Sequence, residues 1–297
     1  MSMPHPGFVL ERLAGDDAGT TVLRFDRPAK LNPLSDATVA SLHQTLDELA
    51  RDAALRVLVL TGSGRAFCAG FDLSEAAAAP DEDAIGRAAA WTARQEAFAG
   101  LVSKLRALRA PVIAAVNGLA NGGGLALALA AEVRYAAASA RFNAAFVKVG
   151  MTGCDMGVSW LLPRCVGLSR SFEILLTGRM VDAAEAERIG LVTATVPDAD
   201  LLPRALATAR AIAANDAFGV WMTKRGGWAN AEAPGLAQAI ELENRSQILA
   251  QSTGGLQRTA EALLSAPKAG LRPAGPPRGS SKVAEPHLLE TRKRSKA

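Results

Sequence analysis

The chain has 297 residues, 49% hydrophobic and 21% charged, a balance that suits a soluble globular protein with a sizeable core. Its net charge of +4 sits at one end: residues 271–297 hold seven Lys/Arg against Glu285 and Glu290, a balance of +5, so the rest sums to −1 and nothing in the charge favours a nucleic-acid-binding body. No apolar run is long enough to span a membrane, since the most apolar one, residues 125–131, stops at Glu132; the start, MSMPHPGFVL, lacks a basic segment followed by an apolar one, so a cytoplasmic protein is expected.

Cys68, Cys154 and Cys165 have no paired spacing and read as reduced residues, not as a disulfide frame or a zinc site. The three histidines, His5, His43 and His287, lie at the two ends and in an expected surface helix. A Ser-His-Asp or Cys-His centre therefore has no histidine near a core motif.

Residues 21–26 (TVLRFD) alternate as a strand does and stop before Pro28. Ser35 or Asp36 can cap a helix over 37–51, whose apolar residues fall at 39, 42, 46 and 49. The continuous apolar runs 56–61 (RVLVLT) and 111–117 (PVIAAVN) read as buried strands. Residues 76–100 are alanine-rich and read as loop, then helix. Residues 125–131 read as a buried helix, 133–136 and 141–143 as short strands, and 158–164 as a helix. Strand and helix alternate, which indicates an α/β domain. Beyond Asp198 only helices are expected, over 201–214, 216–228, 235–250 and 253–265, and 269–297 has the composition of a disordered segment.

Two glycine-bearing turns follow the two buried strands: Gly62 to Leu73 (GSGRAFCAGFDL) and Asn117 to Leu125 (NGLANGGGL). Neither fits a phosphate loop. Gly122 is followed by two glycines where a Walker A loop needs Lys and Ser/Thr, and Phe67 stands where a dinucleotide fingerprint from Gly62 needs glycine. Three glycines before a helix let a ligand approach unpaired N–H groups, which would stabilise charge growing on a carbonyl oxygen. They equally serve close packing of helix on strand.

AFCAGFDL, followed some fifty residues later by PVIAAVNGLANGGGLALALA, resembles the paired signature of the crotonase (enoyl-CoA hydratase/isomerase) superfamily. RFDRPAKLNPLS and LLTGRMVDAAEAERIGLVTATVP resemble its flanking segments, and the likeness runs over roughly residues 8–265 in order. The resemblance implies a spiral of ββα turns over 1–200, a helical region over 201–268 that assembles trimers, often paired into hexamers, and a basic tail over 269–297. It implies an enzyme acting on an acyl-CoA thioester, with CoA part of the substrate and no separate cofactor. By position, the N–H groups of Phe71 and Gly123 would hold the thioester oxygen. Arg27, Lys30, Leu31, Ala69 and Leu73 would lie along the CoA approach, with Gly70 and Gly122 beside them. Asp72 would brace its loop; Lys30 would meet a CoA phosphate or remain a solvated lysine.

The pattern breaks at chemistry. Family hydratases place two glutamates where this chain has Ala126 and Phe146, and neither can carry a proton. Asp155, in a glycine-flanked turn, resembles the position where several isomerases, synthases and dehalogenases of the superfamily place an active aspartate. Among Phe146, Met151, Met156 and Trp160 it would be partly desolvated, with a raised pKa; the alternative role is an N-cap. Glu75, Gln95 and Glu96 belong to a segment whose register the sequence leaves open, and Glu132 reads as structural. Proton transfer next to the thioester, as in double-bond isomerisation, fits one carboxylate better than hydration. An acyl-CoA hydrolase or lyase on the same scaffold, or a non-catalytic acyl-CoA-binding protein, are the alternatives.

Overall fold

The computed structural model describes residues 2–265; the tail expected at 269–297 lies outside them. Eleven strands among the described residues form two sheets. The larger has seven, in the order β1 (Ser2–His5), β2 (Phe8–Arg12), β3 (Thr20–Phe25), β4 (Val57–Gly62), β6 (Val112–Val116), β8 (Val133–Ala137) and β11 (Ala194–Val196). The smaller has four, in the order β10 (Met180–Asp182), β9 (Arg141–Asn143), β7 (Leu119–Asn121) and β5 (Ala66–Cys68).

The helices, in chain order, are α1 (Asp36–Arg51), α2 (Glu82–Ile85), α3 (Arg87–Ala107), α4 (Gly123–Ala130), α5 (Val158–Val166), α6 (Leu168–Thr177), α7 (Ala183–Arg188), α8 (Leu201–Ala213), α9 (Ala217–Asn230), α10 (Leu236–Ser252) and α11 (Gly255–Ser265). The chain through Thr253 forms one compact unit; α11 lies beyond it.

The strand pairs β4/β5, β6/β7 and β8/β9 each send one strand to each sheet before a helix follows, which makes the turns of a ββα spiral. Parallel pairing of β3, β4, β6 and β8 explains the unbroken apolar runs, because a strand flanked on both edges and covered on both faces has no polar side. Every residue of β4 and β6 is buried. Helix α1 starts at Ser35, whose hydroxyl accepts the Thr38 N–H at 3.2 Å, and it buries Val39, Leu42, Leu46 and Leu49 along one stripe.

Helix α4 begins two residues earlier than the apolar run suggests, at Gly123, and is buried on all sides. The three-residue strands β5, β7 and β10 are absent from the sequence reading. Segments such as Ala-Phe-Cys and Leu-Ala-Asn are too short to show a period of two. They form because the spiral gives each a neighbour to pair with, and β5 and β7 deliver the two glycine turns side by side.

Candidate active site

The first turn leaves β5 at Cys68. Asn32, buried and left-handed at φ 56°, fastens it: its amide donates to Ala66 O (2.7 Å) and Ser63 O (2.9 Å) and accepts the Arg27 N–H (2.8 Å). The Ala69 N–H donates to Leu31 O at 3.0 Å. Leu34 then brackets the next residues, donating to Gly70 O (2.7 Å) and accepting the Asp72 N–H (2.9 Å). Phe71 lies between those two bonds, and its own N–H has no partner among the described residues.

The second turn joins β7 to α4. The Gly122 N–H donates to Asn143 O at 2.9 Å, whereas the Gly123 N–H, at the first position of α4, has no partner among the described residues. The two turns touch. A Cβ on Gly70, at φ 83°, would stand 2.7 Å from Asn121 O and 3.0 Å from Gly123 N. A Cβ on Gly124 would stand 2.0 Å from Cys68 O, so the glycine run serves both roles considered for it: Gly124 lets α4 lie against β5, and Gly123 keeps an open amide. Cys68 itself is sealed in this contact, and burial pushes its thiol up to about 12.

Phe71 and Gly123 line one cavity of about 320 Å³, a size suited to a small-molecule site. Helix α3 supplies one wall through Trp91, Arg94, Gln95 and Phe98, which fall one and two turns apart on a single face. Arg94 is buried, paired with Asp36, and donates to Glu75 O at 3.1 Å. Its guanidinium lies 5.3 Å from the Phe71 ring centre and 4.9 Å from that of Trp91, and Phe71 meets Phe98 edge-on at 5.6 Å. Phe98, Phe146 and Met156 make a buried floor, while Leu73, Val149 and Met151 are exposed at the mouth.

Asp155 is the carboxylate on this wall. Burial raises its pKa above the ordinary carboxylate value, opposed by hydrogen bonds from the Gln95 side-chain amide and the Met156 N–H. Its side chain does not cap α5. Gly157 is the N-cap and offers no side chain, and Asp155 contributes only its backbone carbonyl, which accepts the Val158 N–H at 2.8 Å.

The sequence profile of the enoyl-CoA hydratase/isomerase family matches residues 15–264. The chain belongs to that family. It is 42% identical over 226 residues to a protein of Mycobacterium tuberculosis named probable enoyl-CoA hydratase EchA12, covering 76% of this chain and 79% of the relative. It is 36% identical over 249 residues to the 1,2-epoxyphenylacetyl-CoA isomerase of Escherichia coli, covering 84% and 93%. A crystal structure described as a monofunctional enoyl-CoA isomerase from Mycobacterium smegmatis superposes with a TM-score of 0.66 at 40% identity, covering 79% of this chain and 98% of that one. The expected crotonase-type fold and enzyme class both hold.

In this enzyme, Ala69, Gly70, Phe71, Leu73, Gly122, Gly123 and Asp155 come together around the cavity, and Arg27, Lys30, Leu31 and Asp72 stand outside its wall. Asp72 braces its loop. It accepts the Ser74 hydroxyl (2.6 Å), the Ser74 N–H (3.2 Å) and Arg27 (3.0 Å), and these hold its pKa down, the Ser74 hydroxyl most. Lys30 is exposed at the end of a 3-10 turn, Pro28–Lys30.

Trp160 departs from the expected setting of Asp155. It faces a separate cavity, between the guanidinium groups of Arg164 (3.5 Å from the ring centre) and Arg106 (4.9 Å), because α5 turns it away once Gly157 has started the helix. Ala126 is fully buried and does not line the cavity that Phe71 and Gly123 line, whereas Phe146 does. Glu75 spends its carboxylate on the Asp36 N–H (2.8 Å). Arg94, Phe98 and Asn121 went unread in sequence. The spacing of 91, 94, 95 and 98 carries the signal for the α3 wall once the helix register is known.

Proposed function

We propose that the enzyme binds an acyl-CoA thioester with its carbonyl oxygen between the N–H groups of Phe71 and Gly123 and moves a proton along the acyl group through Asp155. The observation that carries this reading is the meeting, in one cavity, of two backbone donors from adjoining turns, unpaired among the described residues, with a half-buried carboxylate.

As Asp155 takes a proton from a carbon of the acyl group, the electron pair moves toward the thioester oxygen, where the two amides stabilise the enolate. The same carboxyl group then returns the proton to another carbon, and the double bond shifts with no net change in atoms. Backbone donors fixed before the reaction stabilise this charge without reorganising, by roughly 3 kcal/mol for one donor. A raised pKa suits Asp155 to both halves of the transfer. Hydration has less support, because Phe146 and the buried Ala126 leave no second proton carrier beside Asp155 among the described residues of the cavity wall. Relatives named as isomerases support the same preference. Leu73, exposed at the mouth, with Arg27 and Lys30 on the preceding segment, suits the passage of CoA.

The test is Asp155→Asn with a panel of 2-enoyl- and 3-enoyl-CoA substrates. Turnover should fall by about 10²- to 10⁴-fold while CoA-ester binding persists. Undiminished turnover in the variant removes Asp155 as the proton carrier, and a panel that binds without reacting removes the catalytic reading.

A further inference from the structure

Behind the reaction cavity lies a second one of about 700 Å³ between α3, α5 and α9. Its walls include Val102, Leu161, Trp160, Trp221 and Trp228. The charged side chain buried there is committed: the Lys224 ammonium donates to Leu105 O (3.0 Å) and Ala110 O (3.1 Å) and pairs with Glu132 at 3.2 Å. Arg106 lies over Trp228, its guanidinium 4.0 Å from the ring centre, and Arg225 and Glu232 are exposed. The interior surface that remains is largely aromatic and aliphatic.

Among the described residues, Met156 alone lines both cavities. Its neighbours divide between them, Asp155 facing the reaction cavity and Gly157 the second. Met156 is 4% exposed, and its sulfur would lie 3.1 Å from a Cβ built on Gly123, so it stands directly beside the amide assigned to the thioester oxygen. It is held at φ 44°, a left-handed conformation that costs a non-glycine residue backbone energy. An unbranched thioether in such a place fills space that a smaller residue would leave open.

We infer that Met156 is the partition that limits acyl length: an acyl group passing the two amides ends against its side chain, and removing that side chain joins the reaction cavity to the aromatic one behind. The inference rests on the acyl-CoA reading above. The ligand class that the joined space takes is a medium- or long-chain acyl-CoA, because the second cavity offers aromatic and aliphatic walls, its buried cation Lys224 is already paired with Glu132, and Arg106 is paired with Glu232.

Met156→Gly tests it, since glycine adopts φ 44° without strain; Met156→Ala, with the same backbone demand as Met, carries the test if the glycine variant does not fold. Calorimetric affinities for free CoA, butanoyl-CoA and dodecanoyl-CoA avoid any dependence on turnover. The ratio of dodecanoyl-CoA to butanoyl-CoA affinity should rise by at least about tenfold in the variant, given that each methylene in an apolar pocket carries a sizeable factor. Adding Ala99→Trp, which fills the second cavity from α3, should cancel the gain. Butanoyl-CoA binding both proteins with no change for dodecanoyl-CoA overturns the partition, as does a gain that survives Ala99→Trp. Failure of the wild type to bind any acyl-CoA more tightly than free CoA overturns the acyl-CoA reading itself.

Discussion

The side-chain amide of Gln95 donates to the carboxylate of Asp155, joining helix α3 to the turn before α5 at the cavity wall. This bond lowers the Asp155 pKa against the larger effect of burial, which raises it. Gln95→Leu removes the donor and keeps the bulk, so the pKa should rise further. If Asp155 must be ionised to accept the first proton, the acidic limb of the pH profile of kcat/KM should move to higher pH. The loss of rate should be largest on the acidic side of the profile and shrink as pH rises. An unshifted limb in Gln95→Leu would show that the titration seen in the profile belongs to another group.

Asp155 also ties activity to stability. Its folded-state pKa lies above its unfolded value, so the folded protein binds more protons in the window between them. Its burial penalty is therefore absent below the ordinary carboxylate range, grows as pH rises through the window, and is complete above the raised pKa. Asp155→Asn lacks the charge and should melt at a higher temperature than the wild type at neutral pH. That difference should close on acidification to below the ordinary value. Melting curves from pH 3 to 8 check this, and a difference independent of pH would mean that the carboxylate is not desolvated.

Gly70 carries the contact between the two turns. Gly70→Ala asks a Cβ to stand within 3.0 Å of both Asn121 O and Gly123 N, at a φ of 83° that alanine resists. One turn must move, and the spacing of the Phe71 and Gly123 amides changes with it. Turnover should drop by about 10²-fold or more, with a loss of stability of roughly 1–3 kcal/mol from backbone strain. Steady-state kinetics beside thermal melting separate the two effects. A variant with normal kcat would argue against a shared oxyanion site.

Much of this was legible before the fold. The unbroken runs at β4 and β6, the stripe at 39, 42, 46 and 49, and both glycine turns could be read because burial and backbone constraint leave their mark on composition over several residues. The short strands β5 and β7 could not, since three residues pair only when a neighbour is supplied by another turn of the spiral. Asp155 was readable as a carboxylate in a glycine-flanked turn, but its pairing with Gln95 was not, because a helix of alanines with scattered charges has no apolar stripe to fix its register. Met156 went unremarked as a partition for a different reason: lining two cavities is a property of packing, not of spacing.

Glu132, read from sequence as structural, gathers three parts of the enzyme. Its carboxylate accepts the Val112 N–H (2.7 Å) and the Trp228 indole N–H (2.7 Å) and pairs with the buried Lys224 ammonium. Burial lowers the Lys224 pKa, and Glu132 opposes that. Removing the carboxylate leaves a cation in a dry site, together with an unpaired strand N–H at the start of β6, and breaking such a pair costs roughly 3–5 kcal/mol. Glu132→Ala should therefore unfold at markedly lower denaturant concentration. The double variant Glu132→Ala/Lys224→Met should recover part of the loss, because it no longer strands the charge. A double variant no more stable than Glu132→Ala would place the cost in the Val112 and Trp228 hydrogen bonds instead of the ion pair, and urea titrations of the four proteins in the cycle decide between them.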